Sequence, residues 1–126
     1  MSRLLLDTDI LINLLRGKEA ARDFLVNHVQ EDELFCSVIT IAEIFAGMHP
    51  HEEPATRRLI ETLNIVEVSK TIAERAGYYK GSIKSHSLEL DDCLIAATAF
   101  SLDAALATGN GKHYPMNDVS KIVVKM

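Results

Sequence analysis

The chain contains no tryptophan, two cysteines, three prolines and six glycines among 126 residues. Cys36 and Cys93 both lie inside apolar stretches. With no secretory leader in view, they read as buried free thiols of a reducing compartment rather than a disulfide framework. The prolines are scattered and the one glycine-rich spot, Gly109 and Gly111, is short, so no inter-domain linker or low-complexity tract is expected. No apolar run approaches the length needed to cross a bilayer. The first residues carry neither a long apolar segment nor a small-residue cleavage site. The expectation is a soluble, cytoplasmic protein with no membrane partner. Positive charge is also scarce: 13 Lys and Arg stand against 18 Asp and Glu, for a net charge of −5. That argues against tight nucleic-acid binding by charge alone, although a local basic rim would suffice for a substrate.

What is present is apolar. Apolar residues make up 48% and charged residues 25%, enough for one sizeable core without staples. The length predicts a single domain over residues 1–126. "RLLLD" reads as a buried strand, since three successive leucines show no alternation. Ile10 to Arg16 reads as a short helix stopped by Gly17. Ala21, Phe24, Leu25 and Val29 fall at helical spacing. "ELFCSV" predicts a second strand and "TIAEIFAGM" a helix starting at Thr40. Pro54 marks the first turn of another helix. "NIVEV" is a third strand, and Ile72, Ala76, Tyr79 and Ile83 space out a long helix. "SHSLEL" reads as a connector, Asp92 to Leu102 as an alanine-rich helix, and "AALAT" and "KIVVK" as further strands. Alternation of strands and helices predicts an α/β fold, a mainly parallel sheet of about five strands with helices on both faces.

In such sheets ligands bind beyond the carboxyl ends of the strands. Asp7 ends the first strand, and Asn110 follows the fourth. Glu43 lies one turn into the helix after the second strand, and Asp92 opens a later helix. Each acid has a structural reading: Thr40 and Glu43 fit a capping box by spacing, Asp91 or Asp92 would cap a helix, and Asp9 would complement the positive end of its own helix. Glu43 resists such a reading. It stands in "VITIAEIFAGM" with no Lys or Arg within a turn, and a buried carboxylate needs a partner.

Two carboxylates about 4 Å apart repel by roughly 4 kcal/mol at an effective dielectric near 20. Three such pairs would cost on the order of 10 kcal/mol, comparable with a domain's whole stability of ~5–15 kcal/mol. A cluster of Asp7, Glu43 and Asp92 therefore requires protons, basic partners or a divalent cation. Hard oxygen donors without an evident Cys or His set point to Mg²⁺ or Mn²⁺. "HPHEE" (His49 to Glu53) invites a metal reading, but Pro50 breaks the helical spacing that a ligand pair would need.

Taken in order, "LLLDTDILI", "SVITIAEIFAG", "LDDCLIAATA" and "ALATGNGKHYP" resemble the motifs of PIN-domain ribonucleases, most closely the VapC-like toxins of toxin–antitoxin pairs. The resemblance spans nearly the full chain. It implies a three-layer α/β/α fold, an acidic pocket for Mg²⁺ or Mn²⁺, and metal-dependent cleavage of single-stranded RNA leaving 5′-phosphate and 3′-hydroxyl ends. It implies a cognate antitoxin and a homodimer. By position Asp7, Glu43 and Asp92 match the family's first three acids, with Asp91 as an auxiliary neighbour. Thr8 and Thr40 match supporting hydroxyls, and Asn110 matches the polar residue of the family's last motif. Asp9 falls at a variable position, which implies a supporting role. Two departures stand out: Gly109 occupies a place where arginine is common, and His113 one where aspartate is common. His113 would meet a phosphate or simply fill its loop. Arg16, Lys18, Lys80, Lys84 and Lys112 are candidates for RNA-backbone contacts, with Lys112 foremost because it adjoins Asn110. Tyr114 would stack on a base or pack beside Pro115.

Three other classes share features with this sequence. A phosphorylation-switched receiver domain has paired acids after its first strand, but "NIVEVSK" offers no aspartate at the end of the third. A D-x-D phosphatase would leave Glu43 without a role. A non-catalytic module would keep the fold and bind only a partner.

Overall fold

The computed structural model describes residues 2–84 and 88–126; the first half of the expected connector "SHSLEL" lies outside the described residues. The strands are β1 (Arg3–Leu6), β2 (Glu33–Ser37), β3 (Asn64–Val66), β4 (Ala105–Thr108) and β5 (Lys121–Val123). The helices are α1 (Thr8–Leu15), α2 (Glu19–His28), α3 (Val38–Gly47), α4 (Glu53–Glu61), α5 (Lys70–Ser82) and α6 (Leu90–Leu102). All five strands run parallel in one sheet, ordered β3-β2-β1-β4-β5.

Strand geometry explains the two cores. Successive side chains leave a strand on opposite faces. Leu5, Phe35 and Leu106 therefore join one cluster, packed under α5 and α6 with Ile72, Ala76 and Ala96. Leu4, Leu6, Cys36 and Ala107 join the other, under α1 to α4 with Ile10, Leu11 and Ile44. Burying each leucine of β1 contributes about 1.5–3 kcal/mol. Helices on both faces of a parallel sheet give the expected three layers. Both cysteines are buried and free.

Several boundaries differ from expectation. The first helix starts at Thr8, not Ile10, because Asp7 is its N-cap. The third helix starts at Val38, not Thr40. Ser37 is its N-cap, and its hydroxyl accepts from the Ile39 amide at 3.0 Å. Thr40 is thus inside α3, and the T-x-x-E spacing is not a capping box. The sixth helix starts at Leu90 after Glu89, so neither Asp91 nor Asp92 is its N-cap; both stand in its first turn. β3 ends at Val66, short of "NIVEV". Pro54 does sit in the first turn of α4, and Gly17 does follow α1, with a left-handed φ of 77° that suits glycine.

The strand order reverses direction at β1: the chain moves to β2 on one side and later returns to β4 on the other. The crevice at this switch point is where α/β sheets bind ligands. Asp7 and Thr108 stand on its two lips.

Candidate metal centre

Asp7 ends β1 and caps α1, with its Oδ1 accepting from the Thr8 amide at 2.8 Å. The positive end of α1 favours a carboxylate there. Its Oδ2 accepts from the Thr108 hydroxyl at 2.8 Å. The register pairs Leu6 with Ala107, which sets the next residues, Asp7 and Thr108, side by side. Asp7 is only 7% exposed, so these bonds replace water it has lost.

Glu43 projects from α3 toward the same crevice. The Thr8 hydroxyl donates to its Oε1 at 2.6 Å and lies 3.0 Å from the buried Thr40 hydroxyl. These two contacts of Thr8 tie the start of α1 to α3. Burial, then a hydrogen bond shared with Asp91, pushes the Glu43 carboxyl up to about 7, with the charges of Asp91 and Asp7 adding to it. Asp92 sits in the first turn of α6. Burial and the neighbouring Asp91 raise it to about 6, against the opposing pull of His113. The Asp91 carboxylate accepts from the Asp92 amide at 3.0 Å.

Two supporting groups were not legible as such in the sequence. Thr108 is one. The other is Tyr114, which is fully buried. That burial rules out stacking on a base, the role weighed for it. Its phenol donates toward Asp92 Oδ1 at 3.5 Å, and burial with the charges of Asp7 and Asp92 pushes it far above its ordinary range. It stays protonated and serves only as a donor.

The remaining candidates divide. Asn110 and His113 face each other, with Nδ2 3.0 Å from Nε2, and His113 Nδ1 lies 3.7 Å from Asp92 Oδ2. Lys112 is exposed in the same loop. Asp9 turns sideways: its Oδ2 accepts from the Gly109 amide at 3.0 Å, and Oδ1 is buried without a partner among the described residues. Its carboxyl is raised to about 6, first by burial and then by Asp7. That geometry does not suit the second acid of a D-x-D phosphatase. Arg16 is not brought to the site. It stands at the far end of α1, roughly 12 Å along the helix from its start, lining a small apolar cavity with Ile12, Leu15, Ile44 and Met48. Lys80 spends its ammonium on the Leu88 carbonyl at 2.6 Å.

The donor chemistry suits a hard divalent cation. The charges of Asp7 and Asp91 raise the proton affinity of Glu43 and Asp92, and among the described residues no Lys or Arg pairs with any of the four. As placed, no three acids or imidazoles among the described residues converge closely enough to grip an ion. Mutually repelling carboxylates do not draw together without positive charge between them. The fit therefore rests on the donor set and its electrostatics.

Among the described residues no helix is long and apolar enough to cross a membrane. Comparison with known proteins agrees with this architecture. The chain is 41% identical to Ribonuclease VapC10 of Mycobacterium tuberculosis (strain ATCC 25618 / H37Rv) over 115 residues, covering 90% of this chain and 86% of that protein. A toxin-antitoxin complex from Klebsiella pneumoniae contains a chain with 33% identity and a TM-score of 0.79, covering 92% of this chain and 94% of that one. VapBC-1 from nontypeable Haemophilus influenzae matches at 26% identity and a TM-score of 0.79, over 96% and 97% of the two chains. The PIN domain family model matches residues 4–118, and the chain belongs to that family.

Proposed function

We propose that the chain is an endoribonuclease that hydrolyses phosphodiester bonds of single-stranded RNA with a divalent cation, as the toxin of a toxin–antitoxin pair. One observation carries the reading: Asp7 at the end of β1, Glu43 on α3 and Asp92 on α6 stand about the sheet's switch point with no Lys or Arg paired to them among the described residues, and burial with the neighbouring carboxylates raises the proton affinity of Glu43 and Asp92. The ribonuclease names of relatives at 41% and 33% identity support the activity. The toxin–antitoxin complexes at 33% and 26% identity support a cognate antitoxin, whose basic side chain would satisfy the acids.

Asp7, Glu43 and Asp92 would hold the cation, Mg²⁺ or Mn²⁺ by donor hardness. When bound, it would supply an acidified water and neutralise charge on the phosphate oxygens. The chain's own residues do the rest. Thr108 and Thr8 fix the carboxylates of Asp7 and Glu43. Tyr114 keeps its proton and steadies Asp92 from below. Asn110 and His113 stand at the rim beside Asp92, where a phosphate oxygen would meet N–H donors. Lys112 would contact the backbone of the RNA strand. By its likeness to the family, water rather than the RNA 2′-hydroxyl would attack, leaving 5′-phosphate and 3′-hydroxyl ends.

The test is purified protein with Mn²⁺ or Mg²⁺ against a defined single-stranded RNA, with product ends mapped. Asp7→Asn and excess EDTA are each expected to abolish cleavage while far-UV circular dichroism stays unchanged. Full activity in either would overturn the reading.

A further inference from the structure

The loop after β4 is tied down from several directions. The Asn110 amide donates to Thr108 Oγ1 at 3.0 Å, and the His113 amide to the Asn110 carbonyl at 3.1 Å. Lys121 Nζ donates to the carbonyls of Gly111 at 3.3 Å and Tyr114 at 2.8 Å. The fourth tie differs in reach. Asp9, a hundred residues earlier, receives the Gly109 amide on Oδ2. This approach is so close that a Cβ on residue 109 would lie 2.8 Å from that oxygen and would also strike Met126 Cε. The methionine end can swing away. The carboxylate cannot retreat without giving up the amide. Glycine at 109 is thus the complement of an aspartate at 9.

Resting on the proposed nuclease reading, we infer that Asp9 is a positioning residue: its grip on Gly109 sets Asn110 and His113 at their places beside Asp92. It is not aimed at the pocket as a ligand. One oxygen is spent on the amide and the other is buried. Asp9 acts through the loop, and what it controls is the next residue.

The full chain carries the test, with steady-state RNA cleavage and amide NMR spectra read together. Asp9→Ala is expected to lower kcat/KM by about tenfold or more, since a misplacement of an ångström at a reacting centre costs up to about a hundredfold. Asp9→Asn keeps an acceptor for the amide and is expected to stay within about threefold of the parent. Combining Asp9→Ala with Asn110→Ala is expected to do little more harm than Asn110→Ala alone, because one residue works through the other. The Gly109 and Asn110 amide signals should move in Asp9→Ala and hold in Asp9→Asn. Should Asp9→Ala fold poorly, Gly109→Ala approaches the contact from the loop side and should shift the same signals and lower activity comparably.

Unchanged activity in Asp9→Ala or Gly109→Ala, unchanged activity in Asn110→Ala, or fully multiplicative losses in the double variant would overturn the inference. Asp7→Asn separates the two ideas. If it is inactive while Asp9→Ala matches the parent, only the positioning role falls. If Asp7→Asn is fully active, the nuclease reading falls with it.

Discussion

Thr108 illustrates what single residues contribute to this site. Its hydroxyl donates to the buried Oδ2 of Asp7. Thr108→Val keeps the shape and removes that donor. A hydrogen bond to a charged, buried acceptor is worth about 1.5–3 kcal/mol, so thermal unfolding is expected several degrees lower and cleavage should fall with it. The three acids were legible in the sequence. Glu43 in particular was an anomaly: a carboxylate in an apolar helix without a basic neighbour, which here finds Thr8 and Asp91 instead. Thr108 and Tyr114 were not legible as supports. Their partners lie 101 and 22 positions away, and only the strand register and the loop path bring them together.

At the scale of elements, every strand and helix foreseen from periodicity is present, but three helices, α1, α3 and α6, begin two residues early. The cause is local. Ser37 looks like the polar end of "ELFCSV", yet its hydroxyl starts α3, and Val38 and Ile39 follow as the first turn. Apolar residues that suit a buried strand equally suit a buried helix, so periodicity alone cannot draw that border. The two-residue difference matters chemically, because it places Thr40 inside the helix and within reach of Thr8 rather than at a cap. Ser37→Ala is expected to cost about 1 kcal/mol through the lost cap. Because α3 carries Glu43, urea denaturation and metal affinity, measured on the same variant, should both weaken.

For the molecule as a whole, the acids set a stability that depends on pH in an unusual direction. Glu43 is raised from 4.5 to about 7, and Asp9 and Asp92 from 3.8 to about 6. Over that window the folded chain binds more protons than the unfolded one, so stability falls as pH rises from about 4 to about 7. After discounting for solvent screening, each group accounts for about 1 kcal/mol. The EDTA-treated protein should therefore melt several degrees lower at pH 8 than at pH 5. Asp92→Asn should recover part of the loss at pH 8, and Mn²⁺ should recover more while releasing protons. A melting temperature that rises from pH 5 to 8 in EDTA, with no response to Mn²⁺, would count against the acidic cluster. The parallel order was foreseeable from the alternation of strands and helices; the position of β4 beside β1 was not, since alternation does not rank strands.

That neighbourhood of β1 and β4 also has a bearing on synthesis. Domains made on the ribosome fold as their chain emerges, and here the lip carrying Asp7 is made 101 residues before the lip carrying Thr108. Until then β1 has no partner on that side and the Tyr114 donor is missing as well. A growing chain therefore carries its first acid through most of the domain's synthesis before the two lips of the crevice can meet.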